Sequence, residues 1–130
     1  MFTTRPEILG TFGVVTSTHW LASAAGMSLL ERGGNAFDAC AASAFVLQVV
    51  EPHLVGPAGE VPAVFYSART GQVEVLCGQG TTPAAATLER YRAEGLKLIP
   101  GNGLLATVIP GAFDAWMSVS YTHLTLPTKA

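Results

Sequence analysis

The run from Ala36 to Val50, AFDACAASAFVLQVV, is the strongest constraint on how this chain folds. Asn35 stands where an N-cap belongs, and Asp38 follows three residues on, where a carboxylate favours the positive end of a helix. Pro52 stops the run. The spacing predicts a helix over 36–50 that is apolar on nearly every face. Such a helix belongs in the middle of a layered structure, not on its surface. It is also interrupted by Asp38 and Gln48 and falls short of the ~20 apolar residues that a membrane span needs. No membrane span is expected.

A helix that must be covered on all sides sits uneasily in a short chain. The sequence has 130 residues, enough for one ordinary domain and too few for two. Charged residues make up 12% of it, against roughly 25% in a typical globular protein. A lone domain of this size buries only about two-thirds of its unfolded surface. The chain is therefore either an unusually apolar small domain or a piece of something larger whose other parts cover it. The formal net charge of −2 brings no basic patch, so no nucleic-acid partner is expected. Hydrophobicity excludes disorder. Arg5, Pro6 and Glu7 stand where a secretory signal would be apolar. Cys40 and Cys77 do not make a disulfide framework, and a cytoplasmic setting is expected.

Elsewhere the pattern is mixed. Phe12–Ser17 is a β-branched run that reads as a strand, and Ser17 or Thr18 is placed to cap a helix over Trp20–Arg32. Gly33 closes that helix. Residues 54–62, with Gly56, Pro57, Gly59 and Pro62, read as a loop. Ala63–Ser67 and Gln72–Cys77 alternate around Ala68-Arg69-Thr70-Gly71 and predict a hairpin. Thr87 caps a short helix, Leu88–Glu94, which Gly95 ends. Leu104–Ile109 reads as a second isolated strand, and Ala112–Met117 starts like a helix. Helices grouped beside an antiparallel pair give a layered α+β class.

The residues alone yield no catalytic set. Gly101–Ala106 matches G-x-G-x-x-A, but follows a proline turn and opens a strand-like run, so it reads as a plain turn. His19, His53 and His123 lack neighbours at metal-ligand spacing, and no metal or cofactor is expected. His19 reads as a residue at a helix start and His53 as a loop residue. Cys40 reads as a small core residue and Cys77 as a strand end with no nearby cation to lower its pKa. Thr3 or Thr4 would become an amino-terminal nucleophile only if processing exposed it.

Several stretches together carry a resemblance. They are His19-Trp20-Leu21-Ala22-Ser23, Leu30 to Ala39 (LERGGNAFDA), Val49-Val50-Glu51-Pro52-His53, Tyr66 to Gly71, Pro83 to Thr87, and Val108-Ile109-Pro110-Gly111. In this order they closely resemble the start of the gamma-glutamyltransferase family, with GGNAFDA the most specific part. The resemblance implies a fragment of the four-layer αββα N-terminal-nucleophile hydrolase fold. In that family a precursor cleaves itself, and the new amino-terminal threonine of the small subunit attacks a gamma-glutamyl amide such as glutathione. Its own amine is the base, and the acyl-enzyme passes to water or an amino-acid acceptor. This chain resembles only the first part of the large subunit. The resemblance therefore implies no catalytic residue here, and an inactive chain when alone. The partners it implies are the rest of the large subunit, the small subunit and a small-molecule amide substrate.

Two stretches depart from the family pattern. Its glycine-rich SSGxGGGGF is replaced by Leu54 to Pro62 (LVGPAGEVP). Its DGRE, whose arginine pairs with the substrate alpha-carboxylate, is replaced by Cys77-Gly78-Gln79-Gly80. A neutral amide is not equivalent to a bidentate cation. Gln79 and Gly78 are therefore the candidate substrate-binding residues. Alternatives to a gamma-glutamyl enzyme are an amidase or acylase with another substrate, or a non-catalytic module. Residues 1–117 are expected to be the family part. Residues 118–130 resemble the translation of a transposase-type sequencing adapter joined to a truncated reading frame. That makes His123 and Lys129 poor candidates for function.

Overall fold

The computed structural model describes residues 6–123, which fall into two units, residues 6–55 with 118–123, and residues 56–117. The class is α+β, with four helices, one 3₁₀ turn and one two-stranded sheet among the described residues.

The first unit is built on two helices, α1 (Trp20–Glu31) and α2 (Ala36–Val50). The boundaries of α2 are those expected, because the signals are local. Asn35 Oδ1 accepts from the Asp38 N–H at 3.0 Å, and Asp38 Oδ2 accepts from the Asn35 N–H at 2.9 Å. This reciprocal box satisfies two of the donors that a helix start leaves open. The link between the helices is equally local. Gly33, at φ 89°, donates to Leu30 O, and Gly34 donates to Leu29 O, which together form a Schellman closure.

The cap of α1 differs from expectation. His19 takes that place, its Nδ1 accepting from the Leu21 N–H at 3.2 Å. The hydroxyls expected to cap are engaged elsewhere. Ser17 Oγ donates to His19 O at 2.7 Å, and Thr18 Oγ1 donates to Glu51 Oε2 just beyond α2.

Small residues set the approach of the two helices. Ala22 is fully buried, Gly26, Ala39 and Ser43 are buried, and Ser43 Oγ donates to Ala22 O at 2.9 Å. A Cβ at Gly26 would lie 2.9 Å from Ala39 O, so the backbones touch where any larger side chain would separate them.

Two expectations fail in this region. Residues 12–17 join no ladder among the described residues, and Phe12 and Val14 are exposed. A β-branched run favours extended backbone, but a strand needs a partner to take its hydrogen bonds. Cys40 is exposed, not core. It shares a face with Ala36, one turn earlier and also exposed, while Asp38, Ala39, Ala41, Ser43 and Ala44 are buried. Among the described residues, α2 is covered on part of its circumference.

The second unit carries the hairpin β1 (Val61–Ser67) and β2 (Gln72–Gly78), antiparallel, with Val61 opposite Gly78 and Ser67 opposite Gln72. Each strand extends past the expected limits, by two residues at the start of β1 and one at the end of β2. One face, with Val61, Ala63 and Leu76, packs on Ala112, Ala115 and Trp116 of α4 (Ala112–His123). The other face presents the cross-strand pairs Val64–Val75 and Tyr66–Val73, all exposed.

Thr87 caps α3 (Leu88–Ala93) as expected, its Oγ1 accepting from the Arg90 N–H at 3.3 Å. The strand expected over 104–109 is instead a 3₁₀ turn, Leu104–Ala106, followed by backbone that joins no ladder, with the Ile109 N–H donating to Thr81 O at 2.9 Å. Tyr91 explains part of this: its hydroxyl donates to Leu105 O at 2.8 Å and draws the segment onto α3.

Helix α4 continues past Met117 to His123. In the first unit, Asn35 Nδ2 donates to His123 O at 2.8 Å, the His123 ring stacks on Phe37 with centroids 4.1 Å apart, and Val119 is buried. Residues 124–130 of the expected tail lie outside the described residues, as do Thr3, Thr4 and Lys129. Among the described residues, no helix is long and apolar enough to cross a membrane.

Candidate functional site

The hairpin register decides what surrounds Gln79. Because Val61 faces Gly78, the next residues outward, Glu60 and Gln79, face each other. Gln79 Nε2 donates to Glu60 Oε2. On the other side the Cys77 thiol lies 3.9 Å from Gln79 Oε1, a long and weak contact.

Gly78, buried at the end of β2, is the point where the strand meets α4. A Cβ there would lie 2.6 Å from the Ala115 Cβ and 2.7 Å from Val61 O, so no side chain fits. The turn into α4 is held in the same neighbourhood, with the Gly111 and Ala112 N–H groups both donating to Gly59 O, at 3.2 and 2.9 Å.

Between these elements lies a cavity of about 370 Å³, within the second unit. Its polar side chains are Cys77, Gln79, Thr81 and Asp114, with Gly78 and Gly111 giving backbone to the wall. Among the described residues, no lysine or arginine lines it. The two candidate residues therefore come together in one cavity. Its ionisable groups are acidic or neutral, and it offers hydrogen-bond acceptors more readily than positive charge.

Glu60 was missed by sequence reasoning, which placed it in a loop. Counting pairs outward from the turn Ala68–Gly71 would have found it, since that register carries 60 opposite 79. The remaining candidates stay apart. His19 is a helix cap, and His53 is exposed in a turn. Gly101–Ala106 forms bends and the 3₁₀ turn and opens no α-helix. Among the described residues, no group of His, Cys, Asp or Glu is arranged to hold a metal ion. A second cavity of about 400 Å³, bordered by Leu88, Tyr91, Leu96, Lys97 and Leu105, is mainly apolar and includes no sequence candidate.

Comparison with known proteins gives this arrangement a context. Solved gamma-glutamyltranspeptidases and a cephalosporin acylase share the fold, which is that of N-terminal-nucleophile hydrolases. Residues 22–130 match the sequence model of Gamma-glutamyltranspeptidase, and the chain belongs to that family. The glutathione hydrolase-like YwrD proenzyme of Bacillus subtilis is 38% identical over 123 residues, covering 92% of this chain and 23% of that protein. The acylase ACY 1 proenzyme of Pseudomonas sp. is 35% identical over 127 residues, covering 91% of this chain and 23% of that protein. A solved structure of LmbA2991HD has a TM-score of 0.85 and 60% identity, covering 98% of this chain and 22% of that one. The chain thus spans less than a quarter of the length of these relatives.

Proposed function

We propose that this chain is the amino-proximal part of the large subunit of an enzyme that cleaves amide bonds through an amino-terminal threonine formed by self-cleavage. Family membership over residues 22–130 carries this reading. It also supports gamma-glutamyl amides of the glutathione type as substrates, as does the likeness to a glutathione hydrolase-like proenzyme. The residues described contribute scaffold and one wall of an acyl site, with Gln79 and Gly78 at that wall. The nucleophile is supplied by the small subunit, and the 130-residue chain alone is inactive.

A second reading, an amidase or acylase for another acyl group, is favoured by a specific observation. Gln79, in a cavity that no lysine or arginine among the described residues lines, is bonded to Glu60. The likeness to an acylase proenzyme supports it too. The test of amide cleavage is to produce the protein in full length and follow its conversion into two subunits by mass spectrometry. The smaller subunit should begin with threonine, and its replacement by alanine should abolish release of nitroaniline from acyl nitroanilides. A full-length protein that stays uncleaved and hydrolyses no acyl anilide would refute the proposal.

A further inference from the structure

We infer that Glu60 is a specificity-determining residue of the Gln79 cavity. It admits an acyl group whose outer end is neutral or positively charged, and turns away a free carboxylate. This rests on the amide-cleavage reading above and, of its two substrate readings, selects the second, an acyl group other than free gamma-glutamyl, for that same cavity.

The argument starts from the bond between the two side chains. The carboxamide of Gln79 has two N–H donors and one oxygen acceptor. Glu60 Oε2 takes one donor, which fixes the orientation of the amide and leaves its oxygen on the side of Cys77. The groups left for a ligand are then the Gln79 oxygen, its second N–H, the Glu60 carboxylate bonded to Gln79, and the Asp114 carboxylate in the cavity lining. All but that N–H accept. A substrate carboxylate placed at Gln79 would meet Glu60 at close range and find, among the described residues, no lysine or arginine in the lining to offset it. An ammonium or a carboxamide N–H placed there would find acceptors already oriented. Discrimination of this kind comes as much from the repelled competitor as from the preferred ligand. Glu60 therefore does two things with one side chain: it positions Gln79, and it sets the sign of the charge that can approach.

The test uses the full-length enzyme and two probes that differ at one group, gamma-glutamyl p-nitroanilide with its free alpha-carboxylate and the same anilide with an alpha-carboxamide. The wild type should prefer the carboxamide by at least about tenfold in kcat/KM, with the difference mainly in KM, since the repulsion acts on binding. Glu60→Gln keeps a partner for Gln79 and removes the charge, so it should narrow the preference. The pair Gln79→Arg with Glu60→Gln should invert it. A wild type that treats both probes equally or favours the free acid, or a preference that Glu60→Gln leaves unchanged, overturns the inference while amide cleavage stands. If the wild type cleaves neither probe but hydrolyses other acyl anilides, the inference fails and amide cleavage again stands. If it cleaves no amide at all, both fall.

Discussion

Replacing Asn35 by alanine tests whether the start of α2 and the end of α4 are held by the same side chain. Asn35 Oδ1 caps the helix through the Asp38 N–H, and Asn35 Nδ2 donates to His123 O at 2.8 Å. The third bond of the group, from the Asn35 N–H to Asp38, uses backbone and survives the substitution. Loss of a side-chain N-cap costs about 1 kcal/mol. Loss of one neutral hydrogen bond costs about 1 kcal/mol more. The sum of about 2 kcal/mol corresponds to roughly thirtyfold in an opening equilibrium. Hydrogen–deuterium exchange reads this directly, and the amides of Asp38 and Ala39 should exchange roughly thirtyfold faster in Asn35→Ala. Asn35→Ser separates the two contributions: a serine hydroxyl still caps but is too short to reach His123, so the increase should fall to about fivefold. Equal rates in wild type and Asn35→Ala would refute the reasoning. Equal rates in Asn35→Ser and wild type would show that the bond to His123 contributes nothing.

Further outcomes follow from the same geometry. Gly78→Ala forces a methyl against Ala115 and Val61 and should cost about 1–3 kcal/mol, read as a lowered Tm of the full-length protein; an unchanged Tm would contradict the close approach. Tyr91→Phe removes the donor to Leu105 O and should cost about 1 kcal/mol, read as faster exchange across 104–107 and unchanged exchange in α2. The isolated 130-residue chain, with Val64, Tyr66, Val73 and Val75 exposed on one hairpin face, should bind a hydrophobic dye and unfold without a sharp transition; a cooperative melt would instead support a self-sufficient module. Residues 118–130 we propose to be adapter-derived, so the His123 part of the Asn35 prediction applies to the 130-residue chain, and the capping part to a longer gene product as well. A longer read of the gene should then diverge near Met117, and finding the tail encoded in intact genomic DNA would refute that origin.

What could be read from the sequence was what neighbouring residues decide among themselves. Asn35 with Asp38 and Pro52 brackets α2, and Thr87 brackets α3, without help from the rest of the chain. The failures turn on bonds and packing that local propensity does not decide. Ser17 and Thr18 have the chemistry to cap α1, but their bonds to His19 and Glu51 leave the cap to an imidazole. The β-branched runs at 12–17 and 104–109 have strand propensity and no strand beside them. Cys40 lies in a helix so uniformly apolar that the sequence carries no periodicity to say which side faces out. At the candidate site, Gln79 stood out as a departure from a resembling motif. Glu60 needed the hairpin register, which becomes informative once it is followed beyond the predicted strand ends.

The contact of α1 with α2 has a consequence for how such a chain can diverge. Ala22, Gly26, Ala39 and Ser43 meet where backbone touches backbone, and a Cβ at Gly26 already collides with its neighbours. Glycine, alanine and serine codons lie one base change apart, so drift among these three is easy to reach. Most other single-base steps from them add bulk or charge that this contact has no room for. Mutational paths through the helix pair are therefore nearly closed. The exposed ends of the hairpin, where Glu60 and Gln79 face each other, tolerate changes of size and charge. A lineage of such chains can alter what it recognises at that rim in a few codons while its helical pair stays as it was.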